Sequence, residues 1–291
     1  MEISLAPSVL PLIYLPIHTF LVLRSSVPIP GKRRVTGINL ALFVFFLGQV
    51  LWGKDLSADF AAVRIILLWS PIVFFWFGYL WAGLTLKSIH GEGRFFDRPI
   101  ARFEEKYLGH PSLYWGRNRP RLITEIFHLG YFSYYFYTLS LGLYFDISGR
   151  WDEFQAMSFA TNFGYLFSYI CYTLIPVAGP RWFLVEDRRL KESEIRQPGY
   201  LFTRLTHMLL FGGPAHKGGA MPSSHSSTAL IFLCLTAGSW GLLPGLAALV
   251  LVGGMWIGAV YGRYHYLTDV AAGILLGAFG ILLSRFLVDF L

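Results

Sequence analysis

The chain has 291 residues, of which 55% are apolar, 18% aromatic and only 14% charged, against about 25% charged in an ordinary soluble domain. Its formal net charge is +7. This balance excludes an ordinary water-solvated domain and is that of a membrane protein; no nucleic-acid partner is expected.

Runs of roughly 17 to 25 apolar residues are long enough to cross a bilayer as helix. They recur at about 3–23, 37–53, 63–86, 122–145, 157–177, 225–240, 243–261 and 269–288. Pro11, Pro16 and His18 interrupt the first. No cleavage site of the small-x-small type follows a short basic start, so residues 1–25 are not read as a removed signal peptide. After the third run, residues 94–121 mix aromatics with both charge signs and predict an interfacial helix followed by a turn-rich stretch. Cys171 and Cys234 both fall inside spans, where they read as small packing residues and not as a disulfide framework. Residues 197–213 predict a second surface helix, with Leu201, Phe202, Leu205, Leu209 and Leu210 on one side and Arg204 and His207 offset. There is no tandem repeat, low-complexity tract or second soluble domain. The fold class is therefore all-α, a polytopic membrane helical bundle of about eight transmembrane helices.

An alternating threading places the loops 24–36, 87–121 and 178–224 and the turn near 263 on one face, with 20 of the 24 Lys and Arg residues. By the positive-inside rule that face is cytoplasmic. A face that binds phosphate would also gather cations, which leaves a second reason for the same bias.

Polar residues cluster at span ends on that basic face in PVAGPRWF (176–183), GGAMPSSHSS (218–227) and GRYHYLTD (262–269). His265 and Asp269 are four apart and share a helical face, so the carboxylate can accept from one imidazole nitrogen and leave the other free as a nucleophile. An interfacial pair that merely caps the eighth span fits the same spacing. Ser223 or Ser224 can N-cap the sixth span, whose first N–H groups and positive dipole end suit an anion. His225 in that first turn could act as a general acid, or be a hydrogen-bonded bystander. In the first cluster, Pro176 and Pro180 end the helix, Gly179 permits a bend, and Arg181 is held near the surface, where it suits bidentate phosphate contacts. An Arg at a span end is also a common membrane anchor. Together on one face, the three clusters supply an anion clamp, an acid and an oriented nucleophile, a set for phosphoryl transfer that needs no metal or other cofactor.

These motifs resemble the type 2 phosphatidic acid phosphatase superfamily of lipid phosphatases and phosphotransferases. Pro222-Ser223-Ser224-His225 is similar to its Pro-Ser-Gly-His motif, and His265 with Asp269 to its His-x3-Asp motif. The first motif departs: Arg181 follows Pro180, and Leu174 stands where the family has lysine. Ala259 stands where it has an arginine six residues before the histidine. Both departures, with YLGHPSLYW and LGYFSYYFY, look like the branch that includes inositol phosphorylceramide synthases. The resemblance covers roughly residues 65–288. It implies a six-helix phosphatase-type core over 63–291 and two accessory transmembrane helices in 1–62.

Carried over by position, it implies that His265 attacks phosphorus and forms a phosphohistidine, while Asp269 orients it. His225 would protonate the leaving group and then activate water or an acceptor hydroxyl. Arg181, Arg263, Ser223, Ser224 and helix amides would hold the phosphoryl oxygens, with Arg263 standing in for the missing cation. The implied partner is a membrane lipid phosphate within the bilayer, and no oligomeric state is implied. A lipid phosphatase, a head-group phosphotransferase and a non-enzymatic anion transporter remain as readings. A serine hydrolase through Ser224 and His265 lacks the Gly-x-Ser-x-Gly elbow.

Overall fold

The computed structural model describes residues 4–25, 31–90, 95–212 and 216–287. Residues 94 and 213, at the outer ends of the two expected surface segments, and the ends of the first and last spans at residues 3 and 288 lie outside them.

Eight long helices coincide with the eight apolar runs: α1 (Ala6–Arg24), α2 (Lys32–Asp59), α3 (Ala61–His90), α6 (Arg121–Ile147), α7 (Trp151–Leu174), α11 (Ser224–Trp240), α12 (Leu242–Tyr261) and α13 (Leu267–Leu287). Short helices lie between them: α4 (Asp97–Leu108), α5 (Pro111–Tyr114), α8 (Pro180–Glu186), α9 (Glu192–Ile195) and α10 (Leu201–Gly212). The described residues contain no strand, only a single parallel bridge between Val177 and Gly219. Among the described residues five helices, α1, α2, α3, α12 and α13, are long and apolar enough to cross a membrane by length and composition alone. The chain is a multi-pass membrane protein. Its outward side chains agree: Leu40, Trp76, Phe136, Leu243, Val250 and Leu275 are all exposed, a solvation that suits lipid and not water. Cys234 is exposed as well, which corrects its reading as a packing residue; Cys171 is half-buried, and both are free.

Pro7 sits in the first turn of α1, and Pro11 and Pro16 lie inside it; neighbouring helices compensate such breaks in membrane bundles. His18 bonds Thr85 at 2.6 Å and Asn39 at 3.0 Å, and Trp81 Nε1 donates to Asn39 Oδ1 at 2.8 Å. This buried polar knot ties the first two helices to α3. At the bundle's other end, Gly241 at φ +85° is the whole connection between α11 and α12, a backbone conformation that only glycine adopts cheaply.

The glycine stripe of α13 decides how close the site-bearing helices come. A Cβ at Gly273 would lie 2.2 Å from Ser223 O, and one at Gly277 would lie 2.5 Å from Ser227 O. Both neighbours are backbone, so neither can yield. Gly277→Ala is expected to destabilise the protein by about 1–3 kcal/mol, read as a lower unfolding midpoint in detergent. Gly238→Ala, whose Cβ meets nothing within 4 Å, is the control and leaves the midpoint unchanged or slightly higher.

The two surface segments are helical as expected, and α10 buries its threonine side. Thr203 and Thr206 are its buried residues, while Leu201 and Leu209 are exposed. The cause is Glu125, whose carboxylate accepts from Tyr200 N at 2.7 Å, Phe202 N at 2.5 Å and Thr203 Oγ1 at 2.8 Å. An acceptor at the helix N-terminus fixes the polar side inward.

Candidate active site

Three connections meet at one end of the bundle: the exit from α7, the entrance to α11 and the turn from α12 to α13. Main-chain bonds join them. Val177 N donates to Gly218 O at 3.2 Å and Ala220 N to Val177 O at 3.0 Å; Arg181 N donates to Arg263 O at 3.0 Å, and Ser223 N to Asp269 O at 3.0 Å. Each segment is thereby bonded to both others.

On this frame the imidazoles of His225 and His265 face one another with ring centroids 6.0 Å apart. His265 Nδ1 bonds the Ala220 carbonyl at 2.9 Å, while Asp269 Oδ2 stands 3.6 Å from the same nitrogen. The hydrogen-bond partner expected to be Asp269 is therefore the Ala220 carbonyl, and the carboxylate is a neighbouring charge beyond hydrogen-bond length. The consequence for the ring survives the correction. A carbonyl can only accept, so Nδ1 carries the proton and the Nε2 lone pair is free. Asp269 is fully buried; its Oδ2 accepts from Tyr266 N at 2.9 Å, and its Oδ1 has no partner among the described residues.

Burial above all, with the Arg181 charge adding to it, pushes His265 down to about 4, and the bond to Ala220 opposes this. His265 is therefore neutral at ordinary pH, as attack by Nε2 requires. Between pH 6.5 and about 4 the unfolded chain takes up a proton that the folded site refuses, so stability falls as pH drops through that window. His207 and His216, also lowered to about 4 by burial first, act with the same sign. Compared with the wild type, His265→Asn is expected to lose less of its unfolding midpoint in detergent between pH 6.5 and about 4, the difference being the share of this one ring.

Ser223 N-caps α11: its Oγ accepts from Ser226 N at 3.3 Å and Ser226 Oγ at 3.0 Å. Tyr172 OH donates to Ser224 Oγ at 3.2 Å. Both serine side chains thus have protein partners, while the amides of Ser224 and His225 lack intrahelical acceptors, as at any helix start. Arg181 Nη1 reaches Leu210 O at 3.4 Å, and its charge bears on His265 and Tyr264. Arg263 is buried at φ +61°, and its Nη1 donates to Glu194 O at 2.7 Å. Its guanidinium is thus engaged with α9, and it shares the site through its backbone carbonyl.

His225 is ringed by tyrosines, with centroids at 4.8 Å for Tyr134 and 5.7 Å for Tyr131, and its Nδ1 is buried without a partner among the described residues. Its ring also forms part of the wall of a cavity of about 680 Å³ between α3, α6, α7 and α10. Trp69, Trp76, Tyr135, Tyr165 and Leu210 represent the other walls, which are almost wholly aromatic or aliphatic. Beside it, His216 packs at a tilt against Tyr79, ring centroids 4.4 Å apart, and fills the space left by Gly83 and Gly219.

Sequence reasoning missed the Ala220 carbonyl and the carboxylates of Asp97 and Glu104, which reach the same loops from α4. A main-chain acceptor leaves no mark in a residue pattern. The acids did leave one: 97, 101 and 104 form a single helical stripe, and two of its three members are acidic.

A family model described as PAP2 superfamily matches residues 100–283, well over half of the chain. No curated protein and no solved structure matches it.

Proposed function

The chain belongs to the PAP2 superfamily, most of whose members are phosphatases or phosphotransferases, and on that premise we propose that it is an integral membrane lipid phosphate phosphatase acting through a phosphohistidine. The observation that carries this reading is the pair of facing imidazoles, 6.0 Å apart, with Nδ1 of His265 engaged and its Nε2 free. His265 Nε2 attacks phosphorus, the ester P–O bond breaks, and protonated His225 gives its proton to the leaving alkoxide. Neutral His225 then takes a proton from water. The resulting hydroxide attacks phosphorus, the P–N bond breaks, and inorganic phosphate leaves. Arg181 and the first amides of α11 neutralise the phosphoryl oxygens, and Asp269 stabilises the positive charge that His265 acquires. No metal enters this scheme.

The cavity supports a lipid as the bearer of the phosphate, because it offers an apolar chain a place that ends on the His225 ring. The same feature favours a second reading, a lipid phosphotransferase. A hydroxyl carried on an apolar body reaches His225 through an aromatic chamber more readily than water does. In either reading residues 63–291 form the working core, with the two helices of 1–62 as an addition, and the site faces the cytoplasm.

The test is to incubate the purified protein with ³²P-labelled phosphatidate, quench, and examine the protein. Acid-labile, alkali-stable label is expected. Label stable to acid, or none during turnover, removes the phosphohistidine. Adding ceramide separates the two readings, since transfer yields labelled ceramide phosphate and hydrolysis yields labelled inorganic phosphate alone.

A further inference from the structure

We propose that Asp97 is a positioning residue of the histidine site, holding the Arg181 loop and the His265 turn at a fixed separation, with Glu104 as a second point of attachment. The proposal rests on the phosphohistidine reading above.

The buried stripe of α4 is Asp97, Ala101 and Glu104, while Phe103 and Tyr107 of the same helix are exposed. Burying carboxylates and exposing aromatics reverses the ordinary arrangement, and it is tolerable only if the buried oxygens find donors. Those of Asp97 do. Oδ2 accepts from Ala178 N at 2.8 Å; Oδ1 accepts from Gly179 N at 2.8 Å and from Tyr266 OH at 3.1 Å. All three partners are donors, so the ionised carboxylate is the form that fits.

Each partner adjoins a proposed reacting group. Ala178 and Gly179 lead into Arg181, and Tyr266 directly follows His265. Beside these bonds, Phe96 N donates to Pro176 O at 2.9 Å. Farther along α4, Glu104 Oε1 accepts from Thr268 N at 2.9 Å and Thr268 Oγ1 at 3.2 Å, at the start of α13. One carboxylate therefore spans the loop that brings the cation and the turn that brings the nucleophile. A second fixes the far side of that turn. Burial pushes both carboxyls up and the surrounding donors pull them back, as expected for acids held in place by hydrogen bonds.

In an Asp97→Asn variant the side chain keeps its shape, but an amide NH₂ must then face one of the two backbone N–H donors. The loop is pushed away by a fraction of its bond length. Misplacing reacting groups by about 1 Å costs on the order of 100-fold in rate.

The test uses the full-length protein in detergent micelles, with orthovanadate affinity by calorimetric titration as a readout independent of the substrate. Single-turnover labelling by ³²P-phosphatidate is the second readout, and the unfolding midpoint the third. Asp97→Asn is expected to weaken vanadate at least tenfold and to slow labelling on the order of 100-fold, with KM changed by less than about threefold. Tyr266→Phe removes one donor and is expected to lose roughly tenfold in labelling rate while keeping its midpoint, so it decides the matter if Asp97→Asn does not fold. Wild-type vanadate affinity and labelling in folded variants overturn the proposal, as does a loss of activity that merely tracks the loss of folded protein. His265→Ala run alongside keeps the two questions apart. Undiminished labelling in that variant removes the phosphohistidine reading, whereas a dead His265→Ala beside an intact Asp97→Asn removes this proposal alone.

Discussion

Replacing His265 by alanine is expected to abolish labelling of the protein and turnover together, with a loss on the order of 10⁴-fold or more. The size follows from what the side chain is proposed to do. It forms the bond to phosphorus, and its hydrogen-bond partner among the described residues, the Ala220 carbonyl, is no nucleophile that could replace it. Alanine also removes the bond from Nδ1 to Ala220 O, at 2.9 Å, and Ala220 belongs to the segment that bears His225. Loss of activity by loosening that segment must therefore be separated from loss of the nucleophile. His265→Asn does so, because its side-chain amide can still donate to Ala220 O while offering no nucleophilic nitrogen. It is expected to keep the wild-type fold and remain as inactive as alanine. Activity restored by asparagine would reduce His265 to a structural bond, and the mechanism proposed above would fall with it.

His225→Ala gives the second largest effect, a loss of about 10²–10⁴-fold with an alkyl ester, the usual range for a missing acid or base. Its dependence on leaving group is more informative than its size. An alkoxide is a poor leaving group and needs the proton; an aryl oxide needs it far less. With an aryl phosphate ester the variant should therefore form the phosphoenzyme at close to the wild-type rate. The second step still lacks its base, so label accumulates on His265 and decays slowly. Rapid-quench measurement of a burst followed by slow release is the expected pattern. Equal losses for alkyl and aryl esters, with no accumulated label, would show that His225 serves the site only by packing against Tyr131 and Tyr134, at 5.7 and 4.8 Å.

Much of the fold was legible because a bilayer asks for one simple thing, a long apolar run, and each such run became a helix. The ends of α2 and α7 were harder: they run Lys32–Asp59 and Trp151–Leu174 against expected runs of 37–53 and 157–177, because charged and polar residues in their terminal turns dilute the hydropathy. The meeting of Arg181, His225 and His265 was legible from alternation across the membrane, which sends the start of α11 and the end of α12 to the same side. The actual partner of His265 was not, because i and i+4 spacing describes a helix and His265 sits in the turn before one. Arg263 failed to show its destination for a similar reason. A left-handed backbone at φ +61° swings the side chain toward Glu194, and nothing in the residue pattern announces that conformation. Which side of α10 is buried depended on Glu125, distant in the chain, whose carboxylate accepts from Tyr200 N, Phe202 N and Thr203 Oγ1.

The bonds between Val177 and Gly218, Ala220 and Val177, Arg181 and Arg263, and Ser223 and Asp269 all run from amide to carbonyl. Such bonds are blind to what hangs on the Cα atoms. The three segments thus form a socket whose dimensions belong to the polypeptide itself, and the chemistry is set by whatever side chains are plugged into it. Ser224 and Ala259, each standing where the resembling motifs carry a different residue, are then changes of fitting on that mount. A redesign that exchanges side chains at 181 or 224 while avoiding proline can alter which anion is held without asking the bundle to fold anew.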